Sequence, residues 1–416
     1  MNTGYGNKRK SRFTLLWLLQ LCLTCGIVCW LINPVSENIY VLAMMTIIWL
    51  VIAASRNYEA LSIIFLKRWY VWAYLWILVL FLYSCVGHVD FSLSYIMYAF
   101  CFGIGAYYIV CEDTKAATII TCVSIGYLLI ISVSTLQAYE FVPGLSRILA
   151  NGDINVVIER GGGAFITPFI AGYGGIYGLA VLSVVLMFCG SKKCLPRILR
   201  LFLITISIFW IFVVIRAEYL VAVMLIIIGL GYLLISRIKS KRTKLIMSII
   251  SVLLLILIFG FGQYFFIWLA DRISISNFSI RLRELASFFS GNGLSNVSDA
   301  GERLSMYTTS ISNFFDAPLF GKGTGILFLT YGNHSTILDA FAKYGLIGGI
   351  AFIVFYYNPM KNILLQFGDS NQKGYKMFLT LILILALINV ADTRVNYALV
   401  YIVCPLLLFS TERMER

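Results

Sequence analysis

Apolar runs of membrane-spanning length recur from one end of the chain to the other, separated by short polar breaks. A bilayer core about 30 Å thick needs roughly 20 apolar residues per helix. Runs approaching that length occupy 13–32, 39–54, 69–86, 91–110, 116–136, 164–189, 201–215, 219–235, 245–270, 336–356, 377–390 and 395–409. Lipid admits only helices and closed barrels, and barrel strands would be half as long with strict alternation. The pattern predicts an all-α, polytopic integral membrane protein with about 12 transmembrane helices in a single domain, 1–416.

Two polar breaks exceed a tight turn, at 137–163 and 271–335. Inside the second, Leu304, Tyr307, Ile311, Phe314 and Phe315 recur at helical intervals, and Asp316-Ala317-Pro318 ends the run. Asp299 precedes Glu302 at the spacing of a capping box. An amphipathic helix near 300–315 is expected, lying along the membrane surface with Arg303 in its first turn.

Composition strengthens this reading: 60% of residues are hydrophobic and 12% charged, which excludes a soluble globular domain. The net charge of +13 divides unevenly along the chain. With a cytoplasmic N-terminus, 22 of the 32 basic residues fall on the inner side, including the cluster from Arg237 to Lys244. That is the bias expected of cytoplasmic loops, and it explains the charge without nucleic acid. Both termini are then cytoplasmic. The outer side receives eight arginines (147, 160, 216, 272, 281, 283, 303 and 394) but only Lys322 and Lys343. Arginine grips a phosphate bidentately where lysine acts as a point charge. The first apolar run lacks a cleavage site and reads as a retained span. Cysteines lie in or beside apolar runs without metal-ligand spacing, so neither a disulfide framework nor a metal site is expected.

Each candidate group has a structural alternative. Gly321, Lys322 and Gly323 could form an anion-receiving nest, or a plain turn before a helix; the Walker pattern fails here. His334 precedes Ser335-Thr336 at the start of a span, where the helix dipole favours a neutral, proton-accepting imidazole. It could equally cap the helix. Arg216 ends a span next to a very short turn and could meet a lipid diphosphate there, or snorkel and pair with Glu218. Arg160, beside three glycines, is placed similarly. Asp392 and Arg394, flanked by Asn389 and Asn396, read as a structurally paired polar hairpin. Tyr307, Tyr331 and Tyr344 are candidate sugar platforms. No acidic pair suited to a divalent metal stands on the outer side.

At these residues the chain resembles the superfamily of bacterial O-antigen polymerases and O-antigen ligases. The resemblance is carried by Arg216-Ala217, by Arg303 through Phe315 followed by Pro318-Leu319-Phe320-Gly321-Lys322-Gly323, and by His334 leading into Tyr344-Gly345-Leu346-Ile347-Gly348. Gly163-Ala164-Phe165 and Pro168 add to it, whereas Ser335 and Lys343 depart from residues common in the family. The resemblance implies a metal-independent, GT-C-like glycosyltransferase in the bacterial inner membrane, with no cofactor and an outward-facing site. It would move a glycan from undecaprenyl pyrophosphate to a lipid-linked repeat unit for O-antigen, capsule or exopolysaccharide. Its partners would be those lipid-linked oligosaccharides, membrane lipids, a chain-length regulator and a flippase. Arg216, Arg303 and His334 would carry the chemistry, with Arg160, Gly321, Lys322, Gly323, Tyr307 and Tyr331 binding pyrophosphate or sugar. A ligase using the same donor, and a lipid or sugar transporter without catalysis, remain alternatives.

Overall fold

The computed structural model describes residues 15–33, 38–66, 71–87, 93–142, 145–146, 169–238, 240, 242–243, 246, 261–272, 276–289, 299–323 and 331–414. Arg147, Arg160, Gly163 to Pro168, His88 and most of the apolar run at 245–270 lie outside the described residues.

All described elements are helical: α1 Leu15–Ile32, α2 Ile39–Phe65, α3 Val71–Cys85, α4 Leu93–Val110, α5 Thr114–Phe141, α6 Tyr173–Gly190 and α7 Arg197–Arg216. They continue with α8 Leu220–Arg237, α9 Ser276–Phe289, α10 Asp299–Asp316, α11 Thr336–Leu364, α12 Asp369–Ile388 and α13 Arg394–Arg413. Eight of these are long and apolar enough to cross a membrane, and α3, α4 and α8 carry shorter apolar stretches. The chain is therefore a polytopic, membrane-embedded helical protein.

Inside an apolar medium an unpartnered backbone group costs several kcal/mol, so spans take helical form. Several serine and threonine hydroxyls of the spans are satisfied locally. Thr24, Thr46, Thr121, Ser124, Ser132 and Thr135 each donate to the carbonyl four residues earlier at 2.7–2.8 Å. Between helices, small residues permit close crossing. A Cβ on Gly105 would overlap the Tyr401 carbonyl, so α4 meets α13 there, at a π-helical turn spanning Leu399–Val403.

The polar contacts collect at two ends of the bundle. At one end Trp17 donates to Asp113 at 2.7 Å, Arg56 hydrogen-bonds Gln20, and Asp113 caps α5 through the Ala116 amide. There too Lys192 hydrogen-bonds Asn371, Glu412 accepts from the Gly368 amide, and Arg413 pairs with Glu112 at 2.7 Å. These networks join segments that the charge pattern assigns to one side. The candidate residues occupy the other end.

Several expected boundaries shift. The run at 39–54 continues through a kink at Asn57 to Phe65, because Asn57 leaves helical geometry and the Phe65 ring then packs against Phe100 of α4. The runs expected at 336–356 and 377–390 extend to Leu364 and back to Asp369. The region 271–335 is largely helical where described, and the amphipathic stretch forms α10 as its spacing predicts. Its docking partner is α11, against which Phe314 packs edge-on to Phe341 at 5.6 Å.

Candidate functional site

Tyr177 stands at the centre of the polar end. It is buried on α6, and its ring packs against Tyr173 at 4.9 Å and Tyr219 at 5.7 Å. Its hydroxyl accepts from the Asn389 amide at 2.7 Å, and the Arg303 guanidinium lies beside it. Four segments far apart in sequence therefore converge on one phenol.

Arg303 sits on the first turns of α10, half-buried and beside Tyr173, Tyr177 and Tyr307. Among the described residues no carboxylate pairs with it. Tyr307, one turn along, donates to the Ile388 carbonyl at 2.5 Å and fixes α10 across the end of α12. Burial pushes the Tyr307 phenol up, the Arg303 charge offsets part of that rise, and the Asp339 carboxylate adds to it. The group stays a protonated donor.

Arg216 ends α7. Ala217 remains helical, Glu218 takes a left-handed conformation (φ 62°), and Tyr219 turns extended to cap α8. This tight reversal sends Tyr219 inward, where its hydroxyl donates to Ser146 at 3.0 Å, and leaves Arg216 exposed. No described carboxylate pairs with Arg216, so the expected alternative of a pair with Glu218 does not form.

His334 follows Asn333, whose positive φ of 55° suits asparagine and reverses the chain. The next residues are firmly anchored. Ser335 caps α11 through the Leu338 amide, and its hydroxyl reaches the Leu387 carbonyl at 2.7 Å. The Thr336 amide donates to the Asn389 carbonyl and its hydroxyl to Asp392 at 2.9 Å. Asn389 thus links the His334 segment to Tyr177. Asp339 is buried and accepts from the Ser310 hydroxyl at 2.6 Å and the Ser335 amide at 3.1 Å, tying α10 to the start of α11.

The glycine turn packs against α11 through its own backbone. Gly321 and Gly323 have positive φ (74° and 73°), as a nest allows. However, the amides of Gly321, Lys322 and Gly323 donate to the carbonyls of Ala317, Ala342 and Lys343. In return, Leu346 and Ile347 donate to Pro318 and Leu319. The turn stitches a break in α11 at Gly345 (φ 63°), where either glycine's Cβ would overlap the other strand of backbone. Lys322 pairs with the Asp316 carboxylate at 2.5 Å and donates to the Asn313 side-chain oxygen at 2.8 Å. The amides at 321–323 and the Lys322 charge are thus engaged within the protein, as in the plain-turn alternative.

The sugar-platform expectation is also altered. The Lys343 ammonium lies 3.6 Å from the Tyr331 ring centroid and covers that face. Tyr344 is buried edge-on against Trp76 at 5.1 Å, because α3 packs there. Arg160 is outside the described residues. Asp392 serves Thr336, whereas Arg394 lies over the Trp30 ring.

Reading the sequence alone missed Tyr173, Tyr177, Asp339 and Ser310. The spacing of Tyr173 and Tyr177 put both on one helix face, and Asp339 falls one turn after Ser335. Those signals were present, but nothing local separates them from ordinary interface aromatics and a helix cap. No protein-family model matches the chain, and no curated protein sequence matches it either.

Proposed function

We propose that the protein is an oligosaccharide repeat-unit polymerase of the O-antigen polymerase and ligase type, with about 12 spans, a GT-C-like plan and a site facing the outer leaflet of the bacterial inner membrane. The observation that carries this reading is a pair of guanidinium groups, Arg216 and Arg303, with no described carboxylate neutralising either, on elements that meet at Tyr177 beside the His334 segment. Lys322 and Arg283 at the same end are compensated by Asp316 and Asp271.

In the proposed reaction the acceptor sugar's hydroxyl gives its proton to the His334 imidazole. Its oxygen forms a bond to the donor's anomeric carbon as the bond to the diphosphate oxygen breaks. The leaving electron pair stays on undecaprenyl diphosphate, whose negative charge Arg216 and Arg303 hold. Fixed donors aimed at developing charge lower the barrier because they need no reorganisation during the step. Anchoring of α10 through Tyr307 and Asp339 supplies the rigidity that this requires.

One observation favours a transporter: the break in α11 at Gly345, since transporters bind cargo at discontinuous helices. Here the turn at 318–323 hydrogen-bonds the backbone groups at the break, which supports a structural role instead. A deletion strain discriminates. Loss of a polymerase leaves surface lipid with a single repeat unit, loss of a ligase strands long chains on the carrier, and loss of an exporter traps units on the cytoplasmic leaflet. Arg303→Ala and His334→Ala at normal expression are expected to reproduce the deletion. Unchanged polymer length in both would remove the assignment.

A further inference from the structure

We infer that the cavity beside Tyr173 receives the sugar ring bonded directly to the donor's diphosphate, with the Asn33 amide and the Tyr173 hydroxyl as its hydrogen-bond donors. The assignment rests on the diphosphate reading of Arg303 given above and extends that same site. The cavity lies between α1, α5, α6 and the start of α13, with a volume of about 290 Å³. Sites for whole small molecules run roughly 300–1,000 Å³, so this one suits a single ring of a longer chain. Tyr173 lines the cavity and also stands beside Arg303, its ring packed against Tyr177 and Tyr219. One side chain is thus shared by the guanidinium and the cavity. A sugar bonded to a diphosphate at Arg303 must sit next to that guanidinium, and Tyr173 leads from there into the cavity.

The lining has the mixed character of a sugar, which combines C–H faces with hydroxyls. Leu128, Ile131 and Leu179 supply apolar wall, and Asn33 and Tyr173 supply polar groups. The Asn33 backbone is fixed, because its amide donates to the Cys29 carbonyl at 2.9 Å and its carbonyl accepts from the Tyr127 hydroxyl at 3.0 Å. Its side-chain nitrogen is nevertheless buried without an acceptor. The Tyr173 hydroxyl is also buried; it faces Tyr177 but makes no hydrogen bond of proper geometry. Buried donors left open cost free energy, so they favour a ligand whose oxygens accept. The hydroxyl and ring oxygens of a sugar do so. Gly172, also on the wall, opens α6 without a side-chain cap, and a Cβ there would meet no protein atom within 4 Å. Bare backbone at that point lets a ligand approach closely.

The test is calorimetric titration of the full-length protein in detergent. The ligands are farnesyl diphosphate and farnesyl diphosphate carrying one glucose, galactose or N-acetylglucosamine. At least one sugar is expected to tighten binding about tenfold over the bare diphosphate, as two modest hydrogen bonds would. Gly172→Leu places a side chain in the cavity and should abolish that gain while leaving affinity for bare farnesyl diphosphate unchanged. Asn33→Leu removes one donor, should cut the gain about threefold, and stands in if Gly172→Leu does not fold. Equal affinity for the bare and every glycosylated diphosphate, or a full gain in both variants, would overturn the inference. Arg303→Gln reads the underlying centre separately: it should weaken bare farnesyl diphosphate. Unchanged affinity there, or no binding of farnesyl diphosphate to the unaltered protein, would defeat the diphosphate reading and the sugar subsite with it.

Discussion

A guanidinium whose neighbours are phenols keeps its full charge, and that separates Arg303 from Lys322 and Arg283, which carboxylates compensate. Tyr173, Tyr177 and Tyr307 lie beside Arg303, and its planar fork carries five donors. Arg303→Lys preserves the charge but not the fork, so polymer is expected to shorten markedly on a gel while protein level holds. Tyr177→Phe removes the acceptor from Asn389, which is fully buried. Stranding that amide should cost about 1–3 kcal/mol, read as a lower melting temperature in detergent. Lys322→Ala should act oppositely to any phosphate-binding role. Its pair with Asp316 is partly exposed, so polymer length should be unchanged and stability should fall by at most about 1 kcal/mol.

Among the elements, the most constrained is the junction between the turn after α10 and the break in α11. Each side donates two or more amides to the other, and Gly321 and Gly345 face each other with positive φ. Any Cβ would force both a strained conformation and an overlap with backbone. Gly321→Ala or Gly345→Ala is therefore expected to lower folded yield sharply, measured as the monodisperse fraction after detergent extraction. Full recovery of folded protein in both would show that the junction yields easily. This junction was legible only in part: the three closely spaced glycines announced a turn, but its partner lies more than one helix turn into α11. Sequence spacing cannot express a contact between amides that are remote along the chain. The amphipathic α10 was legible because its own period records which face is buried.

For the whole molecule, the two polar ends follow the division of basic residues made from the chain alone. Trp17, Arg56, Asp113, Lys192 and Arg413 enter contacts at one end, and Arg216, Arg303 and His334 belong to segments gathered at the other. This permits a direct test of orientation. In a cysteine-free background, Glu218→Cys should react with an impermeant maleimide in intact spheroplasts, and Lys193→Cys only after permeabilisation. The reverse pattern would place the proposed site on the cytoplasmic side.

Hydrophobic patterning alone reveals a many-helix membrane chain, the rough position of its long apolar helices, and the helical form near 300–315. These follow because hydrophobic length and periodicity are local properties that lipid enforces segment by segment. Tertiary structure decided which arginines keep an uncompensated charge, that Lys322 is withdrawn by Asp316, and that Tyr177 gathers α6, α8, α10 and the hairpin after α12. Charge compensation and convergence depend on distances across space, which residue order leaves undefined until the helices have packed.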